Sequence, residues 1–142
     1  MKKRQEGVAI VEFALILPFL LLLSIATAEY GRAIWQYNTL TKSVRDAARY
    51  LSIQTPGTHI AQARNLVVYG NLAGTGTPLA IGLSTSNVPD PTWQTAGSVP
   101  VINTVTVKIT GYRFTSMFTS VFGIPFGTVT YSNISATMRS YL

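Results

Sequence analysis

The hydrophobic pattern divides the chain into one continuous apolar run, a helically periodic segment, a polar stretch and two β-like segments. From Val8 to Ala28 every position is apolar or small except Glu12. A helix over this run covers roughly 30 Å at 1.5 Å per residue, the thickness of a bilayer core. Beyond it Ile34, Tyr37, Leu40, Val44, Ala47, Ala48 and Leu51 recur at three- and four-residue steps. Arg32, Lys42, Arg45, Asp46 and Arg49 fall mostly on other faces. The pattern predicts one helix from about Val8 to Ser52, membrane-spanning over 8–28 and amphipathic over 29–52. Pro18 and Gly31 are the places where it would bend. Gln54-Thr55-Pro56-Gly57 ends it.

A second, shorter helix is expected from His59 to Tyr69, with Thr58 as N-cap and Gly70 as the stop. Its residues Ile60, Ala63, Leu66 and Val67 would face the first helix. Residues 71–98, rich in Gly, Thr, Pro and Asn, read as loop. Val99 to Thr110 alternates as a half-buried strand. Thr128 to Tyr141 reads as a second β-rich run, whose apolar phase shift between Tyr131 and Ile134 suggests a bulge. Between them, Phe114, Met117, Phe118, Val121 and Phe122 suggest a short apolar helix or turn. Packing between strands and helix is favoured for this cluster over a lipid- or partner-facing patch. The expected class is α+β: a long N-terminal helix, a short helix and a small antiparallel sheet, with residues 53–142 as a small domain.

Charge refines this picture. The net charge is +6, but Lys2, Lys3 and Arg4 stand in the leader ahead of the apolar run, and others lie along the helix that follows it. That distribution argues against a nucleic-acid partner and for acidic lipid headgroups. The two flanks tie at three Lys/Arg each, Lys2, Lys3 and Arg4 against Arg32, Lys42 and Arg45. The denser cluster places the N-terminus in the cytoplasm and residues 29–142 outside it. Cys is absent, which excludes disulfides and thiolate metal sites. The carboxylates beyond the run are Glu29, Asp46 and Asp90, and the one imidazole is His59. No metal, cofactor, small-molecule substrate or enzymatic activity is expected. Glu12 stands out instead, because a charge inside a spanning segment costs about 2.5–3.5 kcal/mol at mid-bilayer.

Gly7-Val8-Ala9-Ile10-Val11-Glu12-Phe13 reads G-x-x-x-x-E-F between a basic leader (residues 1–7) and a spanning helix. It resembles the cleavage site of type IV-type prepilins. A Leu-rich stretch with a proline follows, from Leu15 to Leu23. Together with Glu29-Tyr30-Gly31-Arg32, Ala47-Ala48-Arg49-Tyr50 and a C-terminal strand ending near Met138-Arg139, the chain resembles the TadE-like pseudopilins of the tight-adherence (Flp) pilus. The resemblance covers most of the chain and is specific over residues 7–50. It implies a single-pass protein of the bacterial inner membrane, a pseudopilin or minor pilin cut after Gly7 by a prepilin peptidase. The mature chain would begin at Val8 and assemble with other pilins and the pilus machinery through its apolar helix. Glu12 and Phe13 would serve processing and assembly, Glu12 by meeting the Val8 ammonium of its own or a neighbouring chain. Two alternatives stay open: a permanently anchored envelope protein, and a secreted domain cleaved after Ala26-Thr27-Ala28. The mature N-terminal residue, Val8, Met1 or Glu29, separates the three.

Overall fold

A computed structural model describes residues 3–141, with side chains from Gly7 onward. The side chains of the leader cluster Lys2, Lys3 and Arg4 lie outside the described residues. Helix α1 runs without interruption from Lys3 to Leu51. It therefore begins earlier than Val8, because Lys, Arg, Gln and Glu before Gly7 are good helix formers. Helical geometry continues through both Pro18 and Gly31. The Ser24 and Thr27 hydroxyls donate to the carbonyls of Leu20 and Leu23, each at 2.8 Å. Back-bonding of this kind lets polar side chains sit in an apolar run.

The described chain forms two compact units. The first comprises residues 1–34 and 116–127. Beside the helix it contains a hairpin of β4 (Ser120–Val121) and β5 (Ile124–Pro125), paired antiparallel. Its two-residue turn is Phe122-Gly123, with φ of 51° and 79°. Such positive-φ pairs match the twist of tight hairpins, and glycine makes one of them inexpensive. Of the expected short apolar helix or turn, the turn is what forms, as the tip of a hairpin. Pro125 and the glycines at 123 and 127 oppose a helix, and β-branched Val121 and Ile124 flank the turn.

The second unit comprises residues 35–115 and 128–142. Leu40, Val44, Ala47, Ala48 and Leu51 of α1 are fully buried, as their spacing predicts. They share one core with Ala63, Val67 and Val68 of α2 (Ile60–Tyr69) and with Val105, Val107 and Ile109 of β2 (Ile102–Ile109). Helix α2 is capped by His59, in the left-handed region at φ 57°, and not by Thr58. The Thr58 hydroxyl and N–H are both spent on the Thr55 carbonyl, at 2.7 and 3.1 Å, closing the turn that leaves α1. Gly70 ends α2 as expected, at φ 72°, with its N–H on the Leu66 carbonyl.

The main sheet places β2 between β1 (Thr92–Ala96) and β7 (Ile134–Ser140) and is antiparallel throughout. Strand β2 alternates as expected but begins at Ile102; Val99 is 94% exposed. Strand β1 (Thr92–Ala96) and a 3₁₀ turn (Thr85–Asn87) fall in the stretch read as loop. β1 is an edge strand of sequence TWQTA, with no alternating apolar positions to reveal it. The terminal run is two strands in two sheets rather than one bulged strand. β6 (Val129–Thr130) pairs with β3 (Arg113–Phe114), and β7 (Ile134–Ser140) pairs with β2. The phase shift at residues 131–133 marks the change of sheet.

Candidate processing and assembly surface

Gly7, Val8, Val11, Glu12 and Leu15 line a shallow, open surface of α1. Their spacing of three, four and seven residues puts them on one helical face. Gly7 sits inside the helix with nothing near the position a Cβ would take. Glycine in a helix interior costs about 1 kcal/mol relative to alanine, so the Gly7–Val8 bond lies at a locally weak turn. Val8, Phe13 and most of the apolar run are exposed. Glu12 is exposed too, and makes no hydrogen bond or ion pair among the described residues. It stands four residues from Val8, on the same face. Pro18 and Gly31, the two expected bend positions, lie within the uninterrupted helix.

The most elaborated polar site lies just past the apolar run. Glu29, 7% exposed, takes two bonds from Arg32: Nη2 to Oε2 at 2.8 Å and Nε to Oε1 at 3.2 Å. Bidentate pairs of this kind are among the stronger charge-assisted bonds. The Met117 N–H donates to the same Oε2 at 3.1 Å, and the Ser116 side chain also bonds the carboxylate. Arg32 is the first cause holding the Glu29 carboxyl below its ordinary value; burial opposes it, and Ser116 and Met117 reinforce it. In the sequence Glu29 and Arg32 stand out as separate charges and as part of the family pattern, not as a pair. An acid just after an apolar run, with Arg three residues on, is the signal that could have marked the pair.

In the second unit, Gln36 Nε2 donates to the Tyr112 hydroxyl at 2.7 Å, and that hydroxyl donates to the Ile81 carbonyl at 2.9 Å. Tyr131 packs against Tyr37, Tyr112 and Phe114 at ring distances of 5.5, 5.9 and 6.4 Å. His59 is exposed, beside Thr58 and edge-on to Tyr50. Among the described residues no three His, Asp or Glu side chains gather where a metal could sit. An open depression is lined by Pro56, Trp93, Gln94, Thr95, Asn103 and Thr104, none of them titratable near neutral pH.

Residues 7–49 match the family model described as TadE-like protein, the family that the sequence resembles. No curated protein and no solved structure matches the chain at significance. The matched segment begins at Gly7 and takes in nearly all of α1, and residues 50–142 lie outside it. Helix α1 is long and apolar enough to cross a membrane, and its apolar window is unburied. Residues 7–49 are thus similar to the TadE-like family, and that similarity together with the long apolar α1 fits a pilus-associated membrane protein.

Proposed function

We propose that this chain is a pseudopilin or minor pilin of a tight-adherence-type pilus, cut between Gly7 and Val8 by a prepilin peptidase. The reading places the leader in the cytoplasm, α1 across the inner membrane and residues 29–142 beyond it. The chain serves as a substrate for processing and a subunit for assembly, with no reaction of its own. One coincidence carries the reading: the TadE-like match opens at Gly7, on a helix whose most apolar window is unburied. A mature helix of this kind packs laterally against other pilins.

Cutting after Gly7 creates an ammonium on Val8, four residues before Glu12. Within one chain the two groups share a helical face. Between chains, the same pairing strengthens in a low-dielectric bundle. It also sets axial register, since an out-of-register neighbour leaves a buried charge unpaired.

The test is the intact mass and N-terminal sequence of the protein recovered from cells that make the peptidase. A chain beginning at Val8 is expected. A chain beginning at Met1 or at Glu29 overturns the reading, in favour of a permanent anchor or a signal-peptidase product respectively.

A further inference from the structure

Hairpin 116–127 belongs to the compact unit of residues 1–34, and carries Met117, Phe118, Phe122 and Ile124 exposed. Met117 is 72% exposed and Phe122 is 64% exposed. No charged residue occurs between Arg113 and Arg139. An uncharged, aromatic-rich hairpin tip of this kind is costly in water and marks an interaction surface.

Its placement identifies the occupant. Glu29, which bonds Met117 and Ser116, is the first residue beyond the apolar run. Within that run, Pro18, Leu22, Ile25 and Ala26 are less exposed than their neighbours. With Glu29 they follow three- and four-residue steps along one face. The hairpin is the other segment of this unit, and it meets that face at Glu29, where the apolar run ends. Val121 and Phe126 are its less exposed apolar side chains, whereas Met117, Phe118, Phe122 and Ile124 are exposed.

Part of the hairpin backbone is satisfied within its own unit. The Met117 N–H is held by Glu29, the Phe118 N–H by Ser116 Oγ at 3.1 Å, and the Phe126 N–H by the Thr119 carbonyl at 3.1 Å. Pro125 has no N–H to satisfy. A hydrocarbon environment demands such internal pairing.

We propose that hairpin 116–127 is a second membrane anchor, seated at the headgroup–acyl boundary of the leaflet where the 8–28 span ends. Met117, Phe118, Phe122 and Ile124 enter the lipid, and the Glu29–Arg32 pair stays at headgroup level and fixes the depth. Aromatic side chains are at home in that zone, and interfacial elements bury their apolar face there. The proposal rests on residues 8–28 spanning the bilayer. The occupant is lipid because any element beside the end of a span meets lipid even when the protein is alone.

The absence of Cys allows single labels in the full chain. Leu20→Cys, Phe122→Cys and Gln94→Cys would each carry an environment-sensitive fluorophore, in vesicles of phosphatidylcholine and phosphatidylglycerol in equal parts. Phe118→Cys repeats the hairpin measurement without altering the turn. The label at 122 is expected to be quenched by spin-labelled acyl chains, and several-fold less by aqueous iodide than the label at 94. The effect should not change as protein is diluted in lipid. Iodide access at 122 and 118 equal to that at 94, with 20 still quenched from the lipid, overturns the hairpin anchor and leaves the span intact. Iodide access at 20 as well overturns the span and the anchor together. Protection at 122 that vanishes on dilution assigns the surface to a second copy of the chain and overturns the lipid proposal.

Discussion

The Met117 N–H bonds Oε2 of Glu29 at 3.1 Å across 88 positions of chain, onto a carboxylate that Arg32 already grips with two bonds. This arrangement favours the ionised acid, so the folded-state pKa of Glu29 lies below its ordinary 4.5. A depressed carboxyl stabilises fully above the unfolded value and loses that contribution as pH falls through the folded one. The Met117 amide should therefore be protected from hydrogen exchange at neutral pH, after correction for intrinsic rates. Protection should fall on acidification below the ordinary carboxylate range. Glu29→Ala should abolish it at neutral pH, a loss of about 1.5–3 kcal/mol for a bond to a charged group. Protection that is flat through the acid range would remove this role.

Tyr112 relays a buried hydrogen bond from Gln36 to Ile81. Tyr112→Phe leaves the Gln36 amide buried without that acceptor, at a cost of about 1–3 kcal/mol. Adding Gln36→Leu should recover most of the loss, since an apolar pair strands no donor. Urea unfolding of the two variants reads this directly. A double variant no more stable than Tyr112→Phe alone would contradict it.

Val44 and Leu51 are both fully buried in the core of the second unit. Replacing both with Asp buries two unpaired carboxylates, each belonging to the class of changes that costs upward of about 4 kcal/mol. Residues 53–142 should become protease-sensitive while the chain still inserts into membranes. Unchanged protease resistance would show that the stripe tolerates charge.

At Gly7 no neighbour blocks a side chain, so Gly7→Val is sterically tolerated in the helix. It removes the local backbone freedom that a peptidase exploits in drawing the bond into an extended form. The variant should accumulate as full-length precursor in the membrane. Maturation to the wild-type mass would mean that the scissile bond lies elsewhere.

Glu12→Gln keeps the shape of the side chain and removes its charge. Insertion should be unaffected, and incorporation into an assembly, or co-purification with other pilins, should drop. The mature fraction has to be measured alongside, so that slow cleavage is not read as poor assembly. Processing and assembly at wild-type levels would eliminate the charge-pairing role.

The elements legible in the sequence are those whose periodicity reports burial on one face. Leu40, Val44, Ala47, Ala48 and Leu51 form such a stripe, as do Val105, Val107 and Ile109. Gly70 announced the end of α2 because a left-handed cap favours glycine. Strand β1 was hidden because an edge strand is held by its ladder and carries no apolar code. The aromatic cluster after Phe114 misled for a different reason. Apolar residues read as core, yet only Phe114 is buried there, and Met117, Phe118 and Phe122 are exposed. Of the candidate site, Gly7 and Glu12 were visible as a motif, and the family match covers them. Glu29's hold on Met117 was not visible, because no local pattern encodes a bond over that separation.

Central strand β2 finds its second neighbour in β7, with Ile109 opposite Ile134 and Asn103 opposite Ser140, and the Tyr141 N–H closes on the Ser52 carbonyl at 3.0 Å. Pairings this distant in sequence have to wait for the whole intervening chain, and loop closure makes them slow. The order of events follows. Helix α1 can form as soon as it is synthesised, whereas β2 has one edge unpaired until residues 134–140 have been made. A chain without β7 would keep its anchor and leave β2 paired on one edge alone.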